Sequence, residues 1–145
     1  MTELYKQDYQ VTWADLDANN HLRNSAYLDY ASQTRFAFFN DHGFSPEDFR
    51  NAALGPVIFT DNIEYFRELR FLEKFRVAIH AGGFSEKGTK FIVVNHFYKE
   101  SGDLAAIVHS HGAWFDLDSR KITEPPEKLF DVFRQLTRSE DFHSL

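Results

Sequence analysis

The residues best placed to do chemistry lie together, in Trp13-Ala14-Asp15-Leu16-Asp17-Ala18-Asn19-Asn20-His21-Leu22-Arg23-Asn24. The stretch offers two carboxylates and an imidazole just ahead of a segment that reads as a helix. A carboxylate there can attack a carbonyl or activate water. The unpaired N–H groups that open a helix can meet the negative charge such an attack creates. Asp15 and Asp17 are two apart and point the same way if the backbone is extended. Three plainer readings stand beside this one. A carboxylate before a helix can be only a cap or a dipole partner. The Asp pair could belong to a Ca²⁺ loop, but the EF-hand pattern wants a glycine and a glutamate that are missing. His21 could be a simple hydrogen-bonding loop histidine.

Other chemistry is thinly represented. His109 and His111 share one strand face, and His80 and His96 sit on neighbouring strands. Zinc would need three convergent ligands, and no HExxH-type signature is present. A polar sheet face, or one packed on another subunit, explains these histidines. The sequence has no Gly-x-Ser-x-Gly elbow, no GxGxxG and no Walker A pattern. With no cysteine, disulfides, a thiol nucleophile and thiolate metal sites are excluded. The 16 phenylalanines suffice to line an acyl pocket, although most belong to a core.

These groups need a scaffold, and 145 residues with 43% apolar content suit one domain, residues 1–145, with a real core. A net charge of −6 argues against a nucleic-acid binder. No apolar run approaches the ~18 residues of a membrane span, and the polar start lacks a signal-peptide core, so a cytoplasmic protein is expected. Tyr9 to Trp13 reads as a strand that runs into the polar loop. A helix follows from Asn24 or Ser25, with Tyr27, Tyr30, Ala31, Thr34 and Phe38 on one face and Leu28, Phe36 and Phe39 off it. Apolar on more than one side, it should be enclosed; His42-Gly43 ends it. Ser45-Pro46-Glu47-Asp48 resembles a second helix start. Strands follow at about 57–67, 75–84, 89–99 and 104–116, with hairpin chemistry at 85–88 and 100–103. The last strand is long enough to curve around something. After Pro125-Pro126, residues Leu129, Val132, Phe133 and Leu136 mark a short helix. The order predicts an α+β fold, one antiparallel sheet on one long helix, with association through the sheet's edge or face.

The run Val11 to Tyr30 resembles the opening signature of the hotdog-fold acyl-CoA thioesterases, the 4-hydroxybenzoyl-CoA thioesterase group: strand, D-x-D, a turn ending G-H-V/M-N-N, then a helical tyrosine. Ile63 to Arg70 is similar to that family's E-Y-x-x-P-x-R segment, and Trp114 to Asp118 with Lys121 to Glu127 to its last strand and tail. The resemblance implies a sheet wrapped around one central helix and hydrolysis of an acyl-CoA or acyl carrier protein thioester without a cofactor or metal. It implies a homodimer or homotetramer with sites at the shared interface. By position it puts Asp17 at the catalytic carboxylate and the Asn24 N–H at the thioester carbonyl. His21 and Tyr27 take the signature histidine and tyrosine places. Glu64, Lys87 and Lys90 fall among substrate contacts, the lysines near the CoA phosphates. The family's glycine before the histidine is Asn20 here, its valine-asparagine is Leu22-Arg23, its proline is Glu68, and Ser32-Gln33 stands where many relatives carry an acid. Asparagine tolerates positive φ best among non-glycine residues, so the turn is expected to survive. A non-catalytic acyl-binding hotdog protein is the alternative that the same residues allow.

Overall fold

A computed structural model describes residues 4–145. Its elements are β1 (Tyr5–Gln10), α1 (Ala26–Asp41), α2 (Pro46–Asn51), β2 (Leu54–Tyr65), β3 (Lys74–Phe84), β4 (Lys90–Lys99), β5 (Leu104–Asp116), β6 (Lys121–Ile122), α3 (Glu127–Arg134) and β7 (Arg138–Ser144). The main sheet runs β1-β3-β4-β5-β2, antiparallel throughout. It curls around α1, which packs on β3, β1 and β5. This is the expected α+β hotdog arrangement.

Local chemistry sets the helix ends. Ser25 is the N-cap of α1, but its side chain makes no capping bond; the turn is closed instead by the Ala26 N–H donating to Arg23 O at 3.0 Å. Gly43 takes φ +93° just past the helix, where a side chain would be strained. Ser45 and Asp48 form a reciprocal capping box on α2, with Pro46 in its first turn. One core cluster gathers Phe38, Phe39, Phe49, Phe91, Trp114 and Phe133 around the C-terminal half of α1. The other joins Val11, Leu22, Tyr27, Leu69, Phe75 and Phe97 around its N-terminal half and anchors the polar loop. Phe36 stays 39% exposed although it belongs to a helix apolar on several sides.

Two expectations need correction. The first strand lies earlier than Tyr9 to Trp13. It ends at Gln10, and Trp13 to Asp15 form a single 3₁₀ turn that leaves the Trp13 side chain in solvent, 76% exposed. Tertiary bonds override the local β-propensity: Arg23 Nη1 and the Tyr30 hydroxyl both donate to Asp15, at 2.8 and 2.6 Å. The chain also has β6 and β7, which pattern alone did not reveal. β7 is polar, and it pairs parallel with β3 on the edge that β1 leaves free. Its Phe142 packs on Phe84, with the Arg138 guanidinium 4.1 Å over the Phe142 ring.

Polar residues also reach the interior. Arg35, in mid α1, is 9% exposed and donates to Asn95 Oδ1 at 3.2 Å and Ser110 Oγ at 2.6 Å. Ser110 passes a 2.6 Å bond to Asp61 on β2.

On the opposite face of the sheet the His80 ring lies 4.5 Å from that of His96. Among the described residues neither ring nitrogen of His80 has a partner. His96 Nδ1 meets the Tyr98 hydroxyl at 3.1 Å, and His109 lies 3.6 Å from Asp141 of β7. No group of three or more His, Asp or Glu among the described residues could hold a metal ion. Burial, then the His96 charge, pulls the His80 pKa down to about 4. The unfolded chain takes up a proton near the ordinary value of ~6.5, so this residue's contribution, present above that pH, drains away as pH falls toward 4. Discounted for partial exposure, about 1–2 kcal/mol is expected. Urea unfolding of the parent and His80→Leu at pH 7 and 4.5 checks this: the parent should lose that much more than the variant, and equal losses would refute it.

Candidate active site

The loop before α1 is built on a tight turn. The Asp17 N–H donates to His21 O at 3.0 Å, the Asn20 N–H to Asp17 O at 3.1 Å, and Asn20 holds φ +63°. Thus asparagine does serve where the resemblance expects glycine. A bridge from Leu16 to Leu22 closes the loop on itself, and the bridge from His21 to Arg70, with the Leu22 N–H on Leu69 O at 2.7 Å, fastens it to the β2–β3 connection.

The two aspartates have parted roles. Asp15 ties the loop to the helix through Arg23 and Tyr30. The Tyr30 hydroxyl bond, then Arg23, keeps its carboxyl below the usual range, while burial and Asp15 push Tyr30 up to about 12. Asp17 closes the turn: Oδ1 accepts from the Asn19 and His21 N–H groups at 2.9 and 3.3 Å, and Oδ2 lies 3.2 Å from His21 Nδ1. Both side chains of that pair are about a quarter exposed.

A cavity of about 240 Å³ opens beside this pair, walled by His21, Leu22, Asn24, Tyr27 and the run Tyr65 to Glu68. Asp17 stands behind His21 and is not part of the wall. Among the described residues, the Asn24 and Ser25 N–H groups donate to no backbone carbonyl. The Tyr65 hydroxyl donates to Asn24 O at 3.2 Å and its ring packs edge-on against Tyr27, so β2 braces the helix start. Burial, then the charges of Tyr65, Glu73 and Asp17, pushes Tyr27 up to about 12, so Tyr27 stays a neutral hydroxyl. The site therefore offers an imidazole backed by a carboxylate, free amides at a helix start, and an aromatic wall.

A family model described as the thioesterase-like superfamily matches residues 11–133, from the end of β1 into α3. The chain belongs to the thioesterase-like superfamily. Solved structures share this superfamily member's fold. A hypothetical protein from Staphylococcus aureus in complex with CoA has TM-score 0.86 at 20% identity, over 96% of this chain and 89% of that one. A 1,4-dihydroxy-2-naphthoyl-CoA thioesterase from Synechocystis has TM-score 0.80 at 15% identity, over 91% and 96%. A DHNA-CoA thioesterase from Staphylococcus aureus has TM-score 0.77 at 16% identity, over 83% and 80%. No curated protein matches the sequence.

Of the site residues expected for a thioesterase-like chain, the structure gathers His21, Asn24 and Tyr27 on one cavity, with Asp17 bonded to His21. Glu64 is elsewhere. Its neighbours Ile63 and Tyr65 both pack toward α1, so Glu64 projects from the other face of β2. Lys87 and Lys90 sit at the far end of the sheet. Lys90 pairs with Ala113 while Tyr65 pairs with Ala106, seven residues or about 23 Å along β5. Lys87 lies 3.5 Å from Glu124 there. The residues missed were Tyr65 to Glu68. Alternation counted from apolar Ile63 would have put Tyr65, rather than Glu64, on the helix side.

Proposed function

We propose that this chain hydrolyses acyl-CoA thioesters and that Asp17, His21 and the Asn24 N–H carry the reaction. The observation that supports this best is the 3.2 Å contact of Asp17 Oδ2 with His21 Nδ1, on a ring that lines the cavity at the helix start. With Nδ1 held by the carboxylate, Nε2 is left to take a proton from a water molecule. The water oxygen bonds to the thioester carbon, and the carbonyl oxygen gathers negative charge at the Asn24 amide, worth about 3–4 kcal/mol per donor in comparable sites. Collapse breaks the C–S bond, and the proton held on His21 passes to the departing sulfur. The products are a carboxylic acid and the free thiol. Asp17 orients His21 and stabilises its cationic form. Tyr27 and Tyr65 form the wall against which the acyl group lies.

Residues 1–145 act as one hotdog domain in this reading, and two or four copies assemble. Edge strand β2 is open along 58–62, with Phe59 55% exposed beside Ile58 at a bulge, and β-pairing with a second copy would cover it.

A thiol-release assay with DTNB across short, long and aromatic acyl-CoAs, with light scattering on the same sample, tests both points. Release from at least one thioester by an assembly of two or more chains is expected. Acyl-chain binding without release from any of them would replace the hydrolase with a carrier, and a monomer at micromolar concentration would remove the assembly.

A further inference from the structure

We propose that the Tyr27 hydroxyl is a second donor to the thioester carbonyl oxygen, beside the Asn24 N–H. Tyr27 stands one turn past Asn24 and lines the cavity beside His21. Side chains on a helix lean toward its N-terminus, so the ring lies back over the turn that Asn24 opens. Tyr65 of β2 meets the ring edge-on at 5.2 Å, and Phe97 of β4 meets it at 5.1 Å. Held between them, Tyr27 is 3% exposed.

A buried phenol normally gives its proton to an acceptor in the protein. The Tyr27 hydroxyl has none among the described residues, and its oxygen, unlike the ring nitrogens of His80, is not sealed from solvent. The groups whose charge reaches it, Tyr65, Glu73 and Asp17, already have partners. Asp17 accepts the Asn19 and His21 amides through Oδ1 and faces His21 Nδ1 through Oδ2. Glu73 accepts the Arg70 N–H at 3.0 Å through Oε1 and pairs with Lys99 Nζ at 2.8 Å through Oε2. The Tyr65 hydroxyl donates to Asn24 O. The Tyr27 proton is left for whatever enters the cavity.

An oxyanion site needs donors fixed in place before the charge develops, and a phenol serves there as an amide does. Burial, then the charges of Tyr65, Glu73 and Asp17, pushes the Tyr27 pKa up to about 12. The hydroxyl therefore keeps its proton at neutral pH and acts as a donor, not as an acid. Its negative neighbours are offset, Glu73 by Lys99 and Asp17 by His21 once that ring takes a proton. The ring remains a wall for the acyl group while the hydroxyl meets the reacting oxygen.

This assignment rests on the reading of the site as a thioester hydrolase, and two measurements keep them apart. Tyr27→Phe should lower kcat for an acyl-CoA about a hundredfold and move KM less than about twofold. Its urea midpoint should equal or exceed the parent's, since the hydroxyl holds nothing in the protein. Trifluoroacetonyl-CoA, whose ketone hydrates to a tetrahedral centre, is then compared by calorimetry with trifluoropropyl-CoA, which lacks that oxygen. The parent should bind the ketone about tenfold more tightly, and Tyr27→Phe should lose most of that preference while binding trifluoropropyl-CoA as the parent does. Parental kcat in the variant, a ketone preference that the variant keeps or the parent never shows, or a collapsed urea midpoint would each overturn the assignment and leave the hydrolase standing. A Tyr27-dependent ketone preference in a parent that releases no thiol would sink the hydrolase and leave the donor.

Discussion

Asp17→Asn is expected to lower kcat for thioester hydrolysis about a thousandfold, within the range for loss of an acid–base group. Asparagine keeps an oxygen where Oδ1 accepts the Asn19 and His21 amides, so the turn that presents His21 survives. What disappears is the charge beside His21 Nδ1. Without it the imidazolium formed as water attacks loses its counterion, and the ring loses its orienting acceptor. The stability cost should be small, at most about 1 kcal/mol, because the pair is partly solvated. KM should change little, since Asp17 is not in the cavity wall. Steady-state thiol release beside a urea titration separates these quantities. Parental kcat in the variant would remove Asp17 from the reaction; a collapsed unfolding midpoint would make it a structural residue.

The largest stability effect is expected at Arg35. Its guanidinium is buried in mid α1 and reaches the Asp61 carboxylate only through the Ser110 hydroxyl. Burial pulls its pKa down and Asp61 pushes it back, but the group stays charged. Arg35→Ala leaves Asn95 and Ser110 without their donor and opens a void, at a cost of about 3–5 kcal/mol. Arg35→Met combined with Asn95→Leu, Ser110→Ala and Asp61→Leu removes the whole chain of polar groups and should recover most of that loss. Urea unfolding of the three proteins decides the matter. If the single variant matches the parent, the network contributes nothing to folding.

Wherever neighbours in sequence make the structure, the sequence could be read. Gly43 ends α1, Ser45 and Asp48 cap α2, and Gly88 and Gly102 turn the hairpins at φ +78° and +93°. The Asp17–His21 turn is also local, which is why the cluster before α1 stood out. Legibility failed where distant residues decide. Asp15 is claimed by Arg23 and Tyr30, so the strand expected to run through Trp13 becomes a 3₁₀ turn. β7 has too few apolar residues to declare itself and exists because β1 leaves part of β3 open. Arg35 looked like one more position on an apolar helix, and its partners lie 60 and 75 residues away.

The chain has two tryptophans, and their surroundings could hardly differ more. Trp114 is buried among Phe39, Phe49 and Phe91, whereas Trp13 stands in water at the mouth of the loop that carries Asp17. Indole emission therefore divides into a blue component that reports on the interior and a red, acrylamide-quenchable one that reports on the loop. Wavelength alone lets one sample follow rearrangement of the loop and global melting as separate signals, with no label attached.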